Sequence, residues 1–394
     1  MTIVKKIVIS IFAFLFAVAV TLGILLPMIA VDKKWSMNQR YNLNEVKSMK
    51  FKKGSDQFKI MQITDLHLND MDDIDYMDRF VQELIDNNNP DLIIITGDTV
   101  WREDFSMPDN TLQVVKEFPK ALDKFGIPWA ITFGNHELDG EAEIEDYYYS
   151  ILQSKHAIFE FGPKNISGKT NYAINLKDGK DIVYSFVLLD SHAWVSRKTA
   201  QYSRFTYNYI QDDQVDWYEW NIKGVSKAQY GKFDPENGKV VPSLLFFHVS
   251  QREFMECRFE MTGNNYGQEG FEDTVPNVLM PGSYASETDD NEVGKDYLRL
   301  YPYKRSQIVN RAIQLKSTKA IFVGHLHRDR SNYIYTNGVD EGSIELVQGL
   351  KTLTTSSYYG EEPTDTGVEI GCNMITINKN GSYSWERYYS DMLA

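Results

Sequence analysis

Short, almost wholly apolar segments recur along this chain, and each one stops at a glycine or a cluster of polar residues. Three of them are "DLIIIT" at 91–96, "SLLFFH" at 243–248 and "KAIFVGH" at 319–325. Segments of this length without alternation are typical of strands that are buried on both faces. Helical spacing between them, as in residues 74–88, predicts helices that cover the sheets. The sequence therefore predicts a layered α/β fold.

The remaining elements are predicted from the same two patterns. Further strands are expected at "FKIMQIT" (58–64), "IPWAITF" (127–133), "IVYSFVLLD" (182–190), "SIELVQG" (343–349), "GCNMITIN" (371–378) and "GSYSWERYY" (381–389). Further helices are expected at 112–125, 214–225 and 305–316. Residues 256–296 are polar, with Gly and Asn, and predict a long loop near the functional site.

Clusters that contain potential metal ligands follow the predicted strands. In chain order they are Asp65-Leu66-His67, Gly97-Asp98, Gly134-Asn135-His136-Glu137, His248 and Gly324-His325-Leu326-His327. Five of the seven histidines lie in these clusters. Ligand sites of α/β folds gather beyond the carboxyl ends of the strands. Carboxylate, amide oxygen and imidazole are ligands of divalent ions such as Mn, Fe and Zn, so the sequence predicts a metal site.

Single residues of these clusters have simpler interpretations. Taken one at a time, Asp65, Asp98 and Asn135 are compatible with capping of helices or turns, and only the ordered set favours ligation. His192 follows another strand end. A surface histidine is the simpler interpretation there, with a substrate-facing role as the alternative. His156 is interpreted as structural or exposed.

The order DxH, GD, GNH[DE], a single His and GHxH resembles the calcineurin-like metallophosphoesterase superfamily over roughly residues 58–330. The segments "WAITFGNHE", "FVLLDS" and "LLFFHVSQREF" are most similar to its Dcr2-like branch, which is related to purple acid phosphatases. The resemblance implies a four-layer α-β-β-α sandwich.

The resemblance also implies a dinuclear centre of two divalent ions, with Mn, Fe and Zn as candidates. One ion would take Asp65, His67, Asp98 and His327. The other would take Asp98, Asn135, His248 and His325, so that Asp98 bridges the two. A metal-bridging hydroxide would then attack phosphorus, and His136 would assist the leaving group as the catalytic residue.

Two neighbouring positions matter for the comparison with the family. Purple acid phosphatases have a metal-binding Tyr three residues after the GD aspartate, and Trp101 stands there, so no iron–tyrosinate chromophore is expected. In the protein-phosphatase branch an Asp at that position orients the catalytic histidine. Trp101 cannot do so, and the orienting partner of His136 is therefore not identified. Arg102 falls where that branch binds phosphate, which predicts a substrate-binding role; a solvated surface arginine is the alternative.

The N-terminal part of the sequence is strongly apolar. An apolar run from Ile7 to Val31 follows Lys5 and Lys6, which predicts an uncleaved transmembrane signal anchor over residues 1–31. A cleaved signal peptide and a buried helix are the alternatives. Residues 32–57 predict a polar linker, and residues 58–394 the metallophosphoesterase domain. Basic residues flank the run on both sides, and the short tail favours an extracytoplasmic body.

Charge and cysteine content narrow the function classes. The formal net charge of −14 disfavours a nucleic-acid partner and is compatible with bound divalent cations. Two cysteines far apart exclude a disulfide framework and a zinc-thiolate site. The predicted function is metal-dependent hydrolysis of phosphate mono- or diesters, acting on a small-molecule or lipid-linked phosphate. A catalytically silent scaffold of the same fold and a nuclease are the alternatives.

Overall fold

A computed structural model describes residues 34–102, 109–195, 206–262, 278–279, 301–327, 329–340, 342–353 and 370–390. The helices in these ranges are α1 (Met71–Asn88), α2 (Thr111–Asp123), α3 (Ile144–Leu152), α4 (Asp212–Tyr230), α5 (Arg252–Thr262) and α6 (Ile308–Leu315). Two 3-10 turns are Leu43–Glu45 and Pro235–Asn237.

The strands in the described ranges follow one another from residue 47 to residue 389. They are β1 (Lys47–Lys50), β2 (Gln57–Ile63), β3 (Leu92–Thr96), β4 (Trp129–Thr132), β5 (Tyr172–Asp178), β6 (Asp181–Leu188), β7 (Trp194–Val195), β8 (Thr206–Tyr207), β9 (Ser243–Phe246), β10 (Val278–Leu279), β11 (Thr318–Val323), β12 (Asn332–Tyr335), β13 (Ile344–Gln348), β14 (Gly371–Asn378) and β15 (Tyr383–Tyr389).

These strands form two main sheets and one small hairpin ladder. The larger sheet has the order β1-β5-β6-β9-β11-β13-β12-β10, and the smaller has the order β15-β14-β2-β3-β4. Strands β2, β3 and β4 are mutually parallel, and so are β6, β9, β11 and β13. Strands β7 and β8 pair with each other, and Tyr207 of β8 also forms an isolated bridge with Pro302. Because parallel neighbours end at the same edge, each sheet collects several carboxyl ends on one side.

The central strands of the larger sheet are buried on both faces, which explains their unbroken apolar sequences. In β9 and the residue after it, Leu244 and Phe246 belong to the core between the two sheets, whereas Leu245 and Phe247 belong to the core beneath α4 and α6. Alternate residues of a strand point to opposite faces, so one apolar segment supplies both cores. The two sheets face each other directly, with Phe58 stacked on Phe186 at a ring-centroid distance of 6.2 Å.

Helices cover the outer faces of the two sheets. The predicted helix at 74–88 is α1, which contributes Met77, Phe80 and Leu84 to the core shared with the smaller sheet. It ends where Asn-Pro was expected to stop it, with Asn89 in the left-handed region at a φ of 49°. The fold is thus an α/β fold of two sheets with helices, as the sequence predicts.

Several described elements were not predicted. Residues 256–262, expected to begin a long loop, form the second half of α5; residues 263–277 and 280–296 of that expected loop lie outside the described residues. Strands β1, β5 and β12 and helix α3 were also missed. Their segments mix polar and apolar residues, so periodicity over a few positions gives no clear signal.

The predicted linker over residues 32–57 differs from the structure from residue 34 onward. Strand β1 is the edge strand of the larger sheet and pairs in parallel with β5. The side chain of Asn165 accepts a hydrogen bond from Trp35 N at 2.6 Å and donates one to Trp35 O at 2.7 Å. The exposed polar residues of this segment predicted a free linker. A few aromatic residues and backbone hydrogen bonds instead attach the segment to the α/β domain.

The membrane prediction concerns a different part of the chain. The expected anchor at residues 1–31 lies outside the described residues. Within the ranges that the structure describes, no helix is both long enough and apolar enough to cross a membrane.

Trp220 is the residue of α4 that holds the N-terminal segment. Its ring lies 6.1 Å from Trp35 and 5.3 Å from Tyr41 between centroids, and its Nε1 donates to Gln39 O at 2.8 Å. These contacts gather three residues of the segment around one side chain. Trp220 is therefore one attachment point of the segment, in addition to Asn165 and the pairing of β1 with β5.

We expect Trp220→Ala to release residues 34–46 from the body. Loss of this half-buried ring should lower the free energy of unfolding by about 2 kcal/mol, as for other large-to-small changes at partly buried sites. Trypsin should then cleave faster after Lys34 and Arg40, as measured by mass spectrometry of timed digests. Tyr230→Ala, at the exposed end of the same helix, is the control. Equal cleavage rates in both variants would contradict the attachment.

Candidate metal centre

The predicted ligand clusters meet where the carboxyl ends of strands from both sheets come together. Backbone hydrogen bonds join the loops that follow these strands. Asp65 N donates to Gly97 O at 3.1 Å, and Gly324 N donates to His248 O at 3.0 Å. Each loop is therefore held in register with its neighbour, and the side chains at the strand ends point into one shared space.

The first group of ligand-type side chains is Asp65, His67 and His327. Their potential ligand atoms all lie within 4.8 Å of one another. His327 Nε2 is 3.2 Å from Asp65 Oδ1, and His67 Nε2 is 3.7 Å from the same oxygen. Asp65 and His67 follow β2 of the smaller sheet, whereas His327 follows β11 of the larger sheet.

The second group is Asp98, His248 and His325, which meets the same 4.8 Å limit. His248 Nε2 lies 3.0 Å from Asp98 Oδ2. Asn135 adds an amide oxygen, because its Oδ1 is 3.1 Å from His248 Nε2. His325 and His327 thus fall into different groups, as the resemblance implies.

Asp98 lies between the two groups. Its Oδ2 is 3.0 Å from His248 Nε2 in the second group and 3.5 Å from His67 Nε2 in the first. The carboxylate is 1% exposed. The position is the one expected of a carboxylate shared by two cations.

The donor chemistry of the two groups fits divalent ions. Carboxylate, imidazole and amide oxygens suit Mn, Fe and Zn, and neither group contains a thiolate. Burial raises the pKa of Asp65, but His327 and His248 outweigh it and hold that pKa well below the usual range. Burial together with His248 lowers the pKa of His325 to about 3. These shifts favour the anionic aspartate and the neutral histidine, the forms in which they bind metals.

Two further contacts fix the ligands from behind. His248 Nδ1 donates to the carbonyl of Thr96 at 2.7 Å, which leaves Nε2 directed at Asp98. Glu137 is buried and accepts from the backbone N–H groups of Asp98 at 3.1 Å, Thr99 at 2.7 Å and Gly134 at 2.5 Å. Burial and the Asp98 charge raise the pKa of Glu137 to about 7. This carboxyl group joins the loop of Asp98 to the loop of Asn135.

The backbone at the ligand positions is unusual. Asp65, His67, Asp98 and His325 have φ values of 56°, 51°, 54° and 78°. Non-glycine residues rarely adopt this left-handed region, and each such residue stores conformational strain. Next to Asp98, a Cβ on Gly134 would overlap the carboxylate, which explains the glycine of the GNHE segment.

His136 lies beside the second group, and its ring is oriented by Asp139. The backbone N of His136 donates to Asp98 Oδ1 at 2.9 Å, and its Nδ1 is hydrogen-bonded to Asp139 Oδ2. Its Nε2 is 4.0 Å from Asp98 Oδ2. Burial lowers the pKa of His136, but Asp98 and Asp139 together raise it above the ordinary value.

Asp139 thus supplies the orienting partner that the sequence analysis left unidentified. It stands three residues after His136 on the turn that closes the GNHE segment, with a backbone hydrogen bond of 3.1 Å from Asp139 N to His136 O. The signal in the sequence was an acid at this spacing.

Trp101 stands where family members have Tyr or Asp, and Arg102 is the predicted substrate-binding residue next to it. The ring of Trp101 lies edge-on to His67, with 5.7 Å between centroids. Arg102 Nη1 is 3.2 Å from Asp109 Oδ2. The ion pair directs the guanidinium toward the α2 N-terminus, and the substrate role of Arg102 stays a prediction.

Three other residues complete the surroundings. Lys351 was missed by sequence reasoning; it is 1% exposed, and its Nζ donates to the backbone O of Asp65 at 3.2 Å. Burial lowers its pKa to about 8. The sequence feature that pointed to Lys351 was its position just after "SIELVQG", a strand that ends at this edge.

His192 and His156 belong to neither ligand group. His192 Nε2 instead donates to Gln214 Oε1 at 2.7 Å.

We expect the purified protein to retain about two equivalents of Mn²⁺ or Zn²⁺ after gel filtration, because each group offers a charged, preorganised donor set. Asp98→Ala should leave less than about one equivalent, and His327→Ala about one, since only the first removes a shared ligand. Inductively coupled plasma mass spectrometry measures the content. His156→Ala is the matched control. Two equivalents in all three variants would contradict the assignment.

The chain is similar to one family model and to several known proteins. A family model described as calcineurin-like phosphoesterase matches residues 58–329. "Probable inactive purple acid phosphatase 29" of Arabidopsis thaliana is 24% identical over 249 residues, covering 60% of this chain and 61% of that protein. "Phosphatase DCR2" of Saccharomyces cerevisiae is 26% identical over 226 residues, covering 50% of this chain and 36% of that protein. The chain thus spans less than two thirds of either relative.

Among solved structures, a dimetal phosphatase from Danio rerio is similar, with 12% sequence identity and a TM-score of 0.43 over 84% of this chain and 99% of that chain. The family model covers well over half of the present sequence and includes every predicted ligand cluster. The chain belongs to the calcineurin-like phosphoesterase family.

Proposed function

We propose that this protein is a dinuclear-metal-dependent phosphoesterase that hydrolyses phosphate mono- or diesters. The observation that carries the proposal is the arrangement of two ligand groups around Asp98, with the His136–Asp139 pair directly beside them. Membership of a phosphoesterase family and two candidate metal groups support hydrolase activity in general. What we propose beyond this general activity is the mechanism and the class of substrate.

The chain offers seven residues to hold the ions: Asp65, His67, Asp98, Asn135, His248, His325 and His327. Two divalent ions bound there would supply Lewis-acid activation of water and stabilisation of negative charge on the phosphate group. Mn, Fe and Zn all suit this donor set. The buried Lys351 adds a positive charge beside Asp65, which reinforces the preference for an anionic substrate.

His136 is proposed as the proton donor to the leaving group. Its side chain is 19% exposed, so a substrate can reach it, whereas Asp98 beside it is almost fully buried. Asp139 accepts the hydrogen bond from Nδ1 and leaves Nε2 facing the centre. The hydrogen bond and the charge of Asp139 act to raise the pKa of His136, which favours the protonated ring that a general acid requires.

Asp139 is proposed as a positioning residue that acts through His136. The carboxylate stabilises the imidazolium and fixes the ring orientation, in the manner of the orienting acid in acid–base pairs generally. It lies on the same turn as His136, so the orienting acid comes from the GNHE segment and not from the position of Trp101.

The first test concerns His136. We expect Mn²⁺ to stimulate hydrolysis of p-nitrophenyl phosphate or bis-p-nitrophenyl phosphate, and His136→Ala to lower kcat by about 100-fold or more while the metal content stays normal. The loss should be larger for alkyl esters, because their leaving groups need a proton more. Unchanged turnover, or a loss of metal in this variant, would overturn the role of His136.

The same preparations separate the proposal from its alternatives. A scaffold without catalysis is supported if the wild-type chain retains less than about one equivalent of metal and hydrolyses nothing with Mn, Fe, Zn or Co. A nuclease is supported if single- or double-stranded DNA is cleaved faster than the small esters.

The second test concerns Asp139. We expect Asp139→Asn to lower kcat by about 10- to 100-fold with little change in KM, because the amide no longer stabilises a protonated His136. The effect should be largest for alkyl esters and smallest for p-nitrophenyl esters. Asp139→Glu should recover part of the loss. An equal loss for every leaving group would indicate a general structural effect instead.

The substrate and location are also proposals. We propose a phosphorylated small molecule or a lipid-linked phosphate, with an extracytoplasmic body attached to the membrane through residues 1–31. The acidic charge of the chain favours neither DNA nor RNA as a partner. A panel of phosphate esters, assayed with and without lipid vesicles, would rank these classes.

A further inference from the structure

The turn at residues 324–327, which carries two of the predicted ligands, is held in a strained conformation. His325 has a φ of 78°, and Leu326 N donates to Gly324 O at 3.0 Å across it. A positive φ inside a hydrogen bond between residues i and i+2 is typical of the rare, strained form of the γ-turn. Such a turn persists only where neighbouring groups fix it. Asp65 provides one such contact, because its Oδ2 accepts from His325 N at 3.0 Å.

Gln348 provides a second contact to this turn. It is the last residue of β13 and is 0% exposed. Its side-chain Nε2 donates to Gly324 O, the same carbonyl that closes the turn. The pairing of β11 with β13 ends at Val323 and Gln348, so Gly324 is the first residue beyond it. The amide therefore extends the contact between the two strands by one residue, through a side chain.

The oxygen of the same amide contacts the loop that carries His248. Ser250 is fully buried, and its Oγ donates to Gln348 Oε1 at 2.9 Å. One amide thus joins the loop of His248 to the turn of His325, and both histidines belong to the second ligand group. His327 lies on the same turn and belongs to the first group. The contact therefore affects ligands of both groups.

The general need to satisfy a buried amide would explain why these two bonds exist. It does not explain why an amide occupies this position, because Leu346 and Val347 fill the neighbouring buried positions of β13 without any polar group. An amide offers a donor and an acceptor on one planar group. The carbonyl of Gly324 needs a donor and the hydroxyl of Ser250 an acceptor, so the residue type matches both loops.

We propose that Gln348 is a positioning residue that presets the turn at residues 324–327 for metal binding. It acts through the backbone of Gly324, because stabilising the strained turn keeps the imidazole of His325 within the second ligand group. Donors that are fixed in advance lose less conformational freedom on binding, which favours affinity. This inference rests on the proposed function, because it assumes that the two groups hold divalent ions.

The test measures metal affinity and ligand geometry in the full chain after removal of metal. Zn²⁺ and Co²⁺ are titrated separately, and the visible absorption of bound Co²⁺ reports the geometry of its ligands. Gln348→Met keeps the length of the side chain and loses both hydrogen bonds. We expect it to weaken binding by about 10- to 100-fold and to change the Co²⁺ spectrum. Ser250→Ala removes only the bond to Oε1 and should weaken binding by about 3-fold.

Ser243→Ala is the matched control. Ser243 lies at the opposite end of β9, is fully buried, and is hydrogen-bonded to Ser317 Oγ at 2.9 Å and Thr318 Oγ1 at 2.7 Å. Its loss should lower the melting temperature, because buried hydrogen bonds are removed, and should leave metal affinity and the Co²⁺ spectrum at their wild-type values.

The outcomes separate this inference from the proposed function. Wild-type affinity and an unchanged spectrum in Gln348→Met overturn the positioning role, while metal binding by the wild-type chain still supports the phosphoesterase. A wild-type chain that binds neither ion overturns the proposed function, and the positioning role with it. If circular dichroism shows that Gln348→Met does not fold, Ser250→Ala decides: weaker binding than in Ser243→Ala supports the role, and equal binding overturns it.

Discussion

The buried carboxylate of Asp98 is the group on which the whole centre depends. It accepts one hydrogen bond from the backbone N of His136 and lies 3.0 Å from His248 Nε2, and the backbone N of Asp98 donates to Glu137. Burial raises its pKa, but His248 and His136 bring it far below the usual value. A charge so deeply buried is tolerated only with partners around it, and those partners are the neighbouring ligands.

The fold serves this arrangement by bringing several strand ends to one place. Parallel strands of each sheet finish at a common edge, and the two sheets face each other, so the ends of β2, β3, β9 and β11 converge. Left-handed backbone at four ligand positions then turns the side chains inward. The site is therefore a product of chain direction and local backbone geometry together, rather than of any single loop.

The ordered ligand clusters could be predicted from the sequence, because each follows an apolar strand whose burial is readable from composition alone. Asp139 and Lys351 were missed, because their signals, an acid three residues after His136 and a lysine just after a strand end, are weak ones that solvated surface residues share. Strand β1 was missed for a related reason. Its four residues are mostly exposed, and its place depends on pairing with β5, 125 or so residues later, which no local signal records.

Each ligand group draws on both sheets. Asp65 and His67 come from the smaller sheet and His327 from the larger, while Asp98 comes from the smaller and His248 and His325 from the larger. A cation bound in either group would therefore act as a cross-link between two layers that are otherwise joined by apolar packing and by hydrogen bonds such as that from Gln62 Nε2 to Val323 O. Cohesion of the two halves and occupancy of the centre would then be linked quantities, and a chelator would act on the architecture as well as on the chemistry.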